Sequence, residues 1–570
     1  MKKEKGITLI ALAITIVVLL ILAGVTIAGI TGENGIIKNA REAKVQSEIG
    51  AEKEIIDVSV VQAIGENKRG NLEKIEYENR LKKNSKKEPT NVFEDGEFLI
   101  TEFVNKNRFY QVDKEGNVEG PIEKIEDEFA GDITKGGSCD GTQEKPYEIN
   151  CIEDLVVFSI MSNGGNTSLG ITADNFNNKY IVLNKTLDFN SIFSYNDSKS
   201  TKYGDLNTNG IVEDIKTELT NKTEGCIGFM PVNNLNNCKI DGRNNEIRNL
   251  YVNTEKNAGL IAFCSNCIIK NIGVTGNISS TRKYAGGIVA DGNNINFYNC
   301  HNSANIKGVQ EVGGICGQAP TQLSNCIVNC SNKGNIEIID NMYARGGVGG
   351  IIGFSRATRI EDCINNGEII TNTNKSVGNG GILGIADSVE IDLLKINGCV
   401  NKGISEGGII GWQTTGKMIL ENNVNFGNCE SGIINSFAGV NGELKMKLSI
   451  QNCYNLGKVS NSGIIGSQGT VCKEIELNIE NCYNAGMSNK PIIGKVFTNV
   501  NTNTITNIKN CYYDKSKSTL PGEYTTGITA MNETEMKNNQ TFIDILNNNI
   551  GVNTEWRRWK VGENGYPTFE

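Results

Sequence analysis

Gly349-Gly350-Ile351-Ile352-Gly353 is followed, nine residues later, by Asp362-Cys363-Ile364-Asn365-Asn366-Gly367, and this couplet decides the fold. Its first half recurs as Gly286-Gly287-Ile288-Val289-Ala290, Gly313-Gly314-Ile315-Cys316-Gly317, Gly380-Gly381-Ile382-Leu383-Gly384, Gly407-Gly408-Ile409-Ile410-Gly411 and Ser462-Gly463-Ile464-Ile465-Gly466. Weaker copies begin at Ala258 and Ser431, and Pro491-Ile492-Ile493-Gly494 closes the series. Its second half recurs at Gly398-Cys399-Val400-Asn401-Lys402-Gly403, Asn452-Cys453-Tyr454-Asn455-Leu456-Gly457 and Asn481-Cys482-Tyr483-Asn484-Ala485-Gly486. Asn299-Cys300, Asn329-Cys330 and Asn510-Cys511 belong to the same set. Copies lie about 24 to 36 residues apart. Each unit holds short apolar runs between Gly or Asn turns and cannot bury its own face, so units must stack. Short strands coiling at this period predict a β-helix whose neighbouring coils pair at about 4.8 Å. Repeated asparagines then stack and hydrogen-bond from coil to coil, and glycines turn corners where side chains would clash. The fold class expected is mainly β: a right-handed parallel β-helix preceded by an N-terminal transmembrane α-helix.

The chain of 570 residues carries a net charge of -9 and 38% hydrophobic residues, which fits a folded body. The acidic balance argues against a nucleic-acid partner, because phosphate binding needs a basic face. A single histidine, His301, removes most histidine-based metal sites and triads from consideration. It reads as a turn or surface residue, and Trp412 as a coil-edge contact. Aromatics at 6% argue against a broad stacking platform.

From Gly6 to Ile30 there is no charge. A helix of about 24 residues from Ile7 would be about 36 Å long, enough to cross a hydrocarbon core. Lys2, Lys3 and Lys5 place the start in the cytoplasm and everything after Glu33 outside, giving a single-pass membrane protein with its bulk on the cell surface. A cleaved secretory signal would be shorter and end in a small-x-small site.

Lys5-Gly6-Ile7-Thr8-Leu9-Ile10-Ala11-Leu12 resembles the leader of type IV prepilins. The resemblance implies cleavage between Gly6 and Ile7 by a prepilin peptidase and methylation of the new amine. Pilus-building members carry a glutamate where this chain has Ala11, which counts against polymerisation with pilin-like subunits. The repeats themselves resemble those named for G-L-U-G in bacterial surface proteins. The flanks extend the likeness: Gly141-Thr142 with Pro146-Tyr147-Glu148-Ile149 and Asp154-Leu155 at one end, Trp559 with Asn564-Gly565-Tyr566-Pro567 at the other. It covers the chain from near Gly136 to Glu570.

The organisation expected is a leader and transmembrane helix over 1–30, a helical stalk and linker over 31–88, and a small β-module over 89–130. An N-terminal cap with first coils and an insertion loop follows over 131–255, then repeats over 256–513 and a C-terminal cap over 514–570. In the stalk Ile49, Ile56, Val60 and Ile64 fall near helical spacing, Gly50 and Gly65 weaken the helix, and Asp113 to Asn117 forms a turn. Trp556 and Trp559 are expected to cover the solenoid's open end.

Of 17 cysteines, Cys267, Cys300, Cys330, Cys363, Cys399, Cys453, Cys482 and Cys511 read as an inward ladder of thiols, one per coil. Cys139 and Cys151 lie outside the array and are the pair best placed for a disulfide. Cys264-Ser265-Asn266-Cys267 alone makes a poor zinc site. Asp205, Asn207, Asn209, Ile211 and Glu213 have the alternating oxygen pattern of a calcium loop, with Gly210 at the sixth position. The segment resembles dockerin and EF-hand loops, except that its twelfth position is Lys216.

Some right-handed β-helices cleave pectin, and glycosidic cleavage requires carboxylates at a fixed separation. Asp291, Glu361, Asp362, Asp387 and Glu406 share no repeated position, and Glu361 and Asp362 are expected on opposite faces of a strand. The function expected is therefore a non-catalytic structural or adhesive protein displaying a β-solenoid for a surface ligand. A minor pilin or pseudopilin component and a carbohydrate-active enzyme are the alternatives.

Overall fold

The computed structural model describes residues 36–66, 72–86, 88–95, 98–103, 106, 108–122, 139–165, 171–189, 227–321, 325–339, 346–356, 358–372, 378–387, 393–438, 445–469, 474–496, 503–518 and 524–570. The chain divides into two compact units, residues 1–126 with 191–193 and residues 127–190 with 194–570. The leader with Gly6 and Ile7, the apolar run to Ile30 and the calcium-loop residues Asp205, Asn207, Asn209, Ile211 and Glu213 lie outside the described residues. Among the described residues no helix is long and apolar enough to cross a membrane.

In the first unit, helix α1 (Ile36–Glu66) and helix α2 (Lys74–Asn84) pack with an antiparallel sheet. Its strands, in order, are β1 (Thr90–Asp95), β2 (Phe98–Phe103), β3 (Arg108–Val112) and β4 (Val118–Ile122). Ile56, Val60 and Ala63 of α1 are buried in one cluster with Tyr77, Leu81, Phe103, Tyr110 and Val112. Buried Glu52 accepts from Tyr110 Oη at 2.6 Å and Arg108 at 2.9 Å. Stalk and β-module are thus one folded unit rather than two. The helical spacing is real, but it marks a face that sheet residues cover. Gly50 and Gly65 do not interrupt α1. The expected turn is present, with Asn117 N–H donating to Asp113 Oδ1 at 2.8 Å.

The second unit is a parallel β-solenoid. One coil shows the construction: strand Asn325–Val328, a corner at Asn329, Ser331–Asn332, Ile336–Ile339, Gly347–Gly349 and Ile352–Ser355. Corresponding strands of successive coils pair in parallel. One inward column runs unbroken through Ile240, Ile269, Phe297, Ile327, Ile360, Ile396, Leu420, Ile450, Ile479 and Ile508. The isoleucine of each Gly-Gly-Ile unit (Ile288, Ile315, Ile351, Ile382, Ile409, Ile464) is 0% exposed. Helix α3 (Ile152–Ser162) buries Leu155, Val156 and Phe158 in the same core at its N-terminal end.

Two polar columns fix the corners. Inside, Asn302, Asn332, Asn365, Asn401, Asn425, Asn455 and Asn484 form a chain in which each Nδ2–H donates to the next coil's Oδ1, at 2.7 to 2.9 Å. Asn365 is saturated: it also donates to Gly367 O at 2.9 Å, and its Oδ1 accepts from Asn332 Nδ2 at 2.8 Å and Gly367 N at 3.2 Å. A buried amide is stable only with its donors and acceptors filled, which this stack achieves from its own side chains and backbone. At the outer corner, Asn299, Asn329, Asp362, Asn422, Asn452, Asn481 and Asn510 hold φ between 52 and 55°, and Gly398 φ 69°. Asparagine and aspartate tolerate this left-handed conformation better than other residues. Asp362 is therefore a corner residue, and strand alternation does not put it opposite Glu361.

The C-terminal segment departs from expectation. Helix α4 (Gln540–Ile550) and the hairpin Trp559–Val561 with Pro567–Phe569 lie along the solenoid's flank, rather than solely over its end. The outward positions Val424, Tyr454, Tyr483 and Tyr512 are apolar and form one cluster with Phe542, Leu546, Trp556 and Trp559. Tyr454 and Tyr483 stack with centroids 5.0 Å apart. The segment also engages the corner ladder: Trp559 Nε1–H donates to Asn452 Oδ1 at 2.8 Å, and Arg557 N–H to Asn422 Oδ1 at 2.8 Å. Asn481 Nδ2 donates to Leu546 O at 3.1 Å, and Arg557 pairs with Asp362.

Candidate functional site

Each of the eight cysteines that the sequence places in a ladder is buried. The pairing of Gly273, His301, Ser331, Ile364, Val400, Val424, Tyr454, Tyr483 and Tyr512 aligns the preceding residues in one column. That column reads Ile272, Cys300, Cys330, Cys363, Cys399, Asn423, Cys453, Cys482, Cys511. Asn423 interrupts it, satisfied by donating to Ile396 O at 2.8 Å and accepting from Cys399 N at 2.9 Å. Cys267 belongs elsewhere: Lys239, Ile268 and Asn296 are in register, so it lines up with Cys238 and Ile295. The ladder thiols donate to carbonyls of their own strands, as Cys363 does to Glu361 O at 3.2 Å and Cys482 to Glu480 O at 3.2 Å. Burial pushes the Cys330, Cys399 and Cys482 thiols well up from their ordinary range. This is packing, and it leaves these sulfurs unsuited to chemistry at the surface.

Carboxylates are spread over different faces. Asp291 accepts from Gln318 Nε2 at 2.9 Å, Asp387 from Thr414 Oγ1 at 2.8 Å, and Glu361 lies 3.5 Å from Arg359. Burial, and secondarily Glu430 nearby, pushes Glu406 up to about 7. Burial pushes Glu311 up to about 8 despite the Gly347 N–H that it accepts. His301 is a surface residue, its Nε2 2.8 Å from Glu246 Oε1. Trp412 stands half-buried on an outward strand position between Ile385 and Ser436. Among the described residues no group of three or more His, Cys, Asp or Glu is arranged to hold a metal.

A cleft that the repeat motifs do not point to opens on the outer face of the first coils. Its volume is about 470 Å³, and Tyr180, Lys239, Asp241, Arg243, Lys270 and Tyr298 line it. Strand alternation places it: Ile240, Ile269 and Phe297 point inward, so Lys239, Asp241, Lys270 and Tyr298 face out in adjacent coils. Lys239 Nζ donates to Tyr180 Oη at 2.6 Å, and Lys270 Nζ lies 2.9 Å from Asp241. Burial raises the Asp241 carboxyl, but the Arg243 N–H, the Asn271 amide and Lys270 outweigh it and hold the group below the usual carboxylate range. Three cations with one compensating acid make this a locally positive, aromatic-flanked concavity on an acidic protein. The signal is present in Cys238-Lys239-Ile240-Asp241, Cys267-Ile268-Ile269-Lys270 and Ile295-Asn296-Phe297-Tyr298, once these segments are stacked in register.

No family model matches the chain. No curated protein matches it either. A crystal structure from Bacteroides ovatus, described as a candidate immunoglobulin A1 protease, is similar at 16% identity and a TM-score of 0.30, covering 76% of this chain and 94% of that one.

Proposed function

We propose that this protein is a non-catalytic surface-display scaffold. In this reading the pilin-like segment before residue 31 holds it in the cell membrane, and the solenoid presents a binding face to the exterior. The observation that carries the reading is the cleft of Tyr180, Lys239, Arg243, Lys270 and Tyr298, set on a sheet whose floor is locked by in-register pairing. A rigid floor lowers the ordering cost of binding. Cations beside tyrosine rings suit a sugar chain bearing carboxylates: the ammonium and guanidinium groups pair with the anion and the rings pack on the sugar. The expected ligand is an acidic surface or matrix glycan.

The test is binding of the full chain to polygalacturonate, with neutral dextran as control. Saturable, salt-sensitive binding to the acidic polymer is expected, lowered at least about tenfold by K239A/R243A/K270A, which removes three charge contacts. Equal binding to both polymers, or an unaffected triple variant, would remove the cleft from the account.

A further inference from the structure

We propose that Cys238 and Cys267 are the site of an interior disulfide that staples the coil beginning at Lys239 to the coil beginning at Ile268. Left-handed asparagines precede both cysteines, Asn237 at φ 52° and Asn266 at φ 54°, so the chain enters both positions by the same corner. The pairs Lys239 with Ile268 and Ile240 with Ile269 follow directly, which makes the two cysteines in-line neighbours. Their Sγ atoms lie 3.2 Å apart, and both residues are 0% exposed. In-line residues on adjacent strands have Cα atoms about 4.8 Å apart, inside the range of about 4.4–6.8 Å that a disulfide spans. Closing the bond brings the two sulfurs from 3.2 Å to about 2.05 Å.

A third buried thiol sharpens the assignment. Cys264 is also within hydrogen-bonding reach of Cys267, whose thiol donates to Ser265 O at 3.2 Å. Cys264, however, belongs to strand Ile261–Ser265, where it pairs in line with Leu235 and Gly292 across the corner from Cys267. Only Cys238 shares the Cys267 column.

The reaction is thiol–disulfide exchange with an external disulfide, either an oxidised low-molecular-weight thiol or the disulfide of an oxidoreductase. The thiolate of either cysteine attacks one donor sulfur, forming a mixed disulfide and releasing one donor thiolate. The thiolate of the other cysteine then attacks the protein sulfur of the mixed disulfide and releases the second. The two protons from the protein thiols end on the two donor thiolates. Because neither sulfur is exposed in the closed coil, the exchange precedes closure of these two coils.

The experiment is peptide mapping of the full chain refolded with oxidised and reduced glutathione, alkylated in denaturant and digested without reductant. The expected product is a cross-linked peptide pair joining Cys238 to Cys267, lighter than its parts by two hydrogen atoms. The link persists in C264S and disappears in C238S. Dithiothreitol reduces it at least about a hundredfold more slowly in the native protein than in denaturant, as burial requires. A Cys264–Cys267 link, or full alkylation of all three cysteines in the wild type, would overturn it.

Discussion

Gly350 rests against the side chain of Asn365: a Cβ added at Gly350 would overlap both Asn365 Cγ and the carbonyl oxygen of Gly381. The same contact joins Gly287 to Asn302, Gly314 to Asn332, Gly381 to Asn401 and Gly463 to Asn484. The two repeated motifs are therefore one device. The glycine leaves a side-chain-sized space, and the asparagine of the next coil fills it with an amide ladder. G350A should cost about 2–4 kcal/mol, since neither a buried backbone carbonyl nor a saturated amide can retreat. Chemical denaturation of the full chain checks this, and a variant as stable as wild type would show that the contact is loose.

Removing the amide acts on its neighbours. N365A leaves the Asn332 donor and the Asn401 acceptor without their coil partner, two buried groups at about 1–3 kcal/mol each. N366A, at an exposed neighbour, should change stability by less than about 0.5 kcal/mol. Comparing the two midpoints separates the ladder from surface asparagines.

Trp559 anchors the flank segment through its ring and its donor to Asn452. W559A should cost about 3–5 kcal/mol, as expected for emptying a fully buried aromatic site. Limited proteolysis should then cut first between residues 532 and 570, while the coils up to Ile396 stay intact. Uniform digestion would mean that the segment does not act as a lateral clasp.

Glu311 gives a pH signature. Its folded-state carboxyl is raised to about 8 by burial, above its ordinary value of 4.5. Between these two values the folded protein holds a proton that the unfolded chain has released. The group's stabilising contribution is therefore full below about 4.5 and is lost as pH rises through about 8. E311Q keeps an acceptor for Gly347 N–H and removes the titration. Its Tm should exceed that of wild type at pH 8.5 by an amount equivalent to about 1–3 kcal/mol, and the gap should close toward pH 5. A gap independent of pH would contradict the assignment.

What is legible in the sequence is whatever repeats. The Gly-Gly-Ile and Asn-Cys-x-Asn-x-Gly series define coil length and interior side, because stacked neighbours impose the same residue on every coil. Sequence alone misplaces Cys267, because Asn266-Cys267 has the same local spelling as Asn299-Cys300 but occupies a different corner; only strand register separates them. Asn423 escapes notice because it stands where the pattern requires cysteine. The union of α1 with β1–β4 and the flank position of Trp559 depend on packing between segments distant in sequence, which no local spacing encodes. The cleft is hidden for a related reason, since Lys239, Lys270 and Tyr298 are different residues that meet only through stacking.

A dry, in-register solenoid interior shields its thiols, and native thiol labelling reads out that shielding. The full chain, carrying the substitution K402C at an exposed corner as an internal standard, is pulsed with iodoacetamide and read out by peptide mass. Cys300, Cys330, Cys363, Cys399, Cys453, Cys482 and Cys511 are expected to label together, only at the rate of global unfolding, while the thiol introduced at position 402 labels at once. Rapid labelling of any ladder cysteine in folded protein would contradict it.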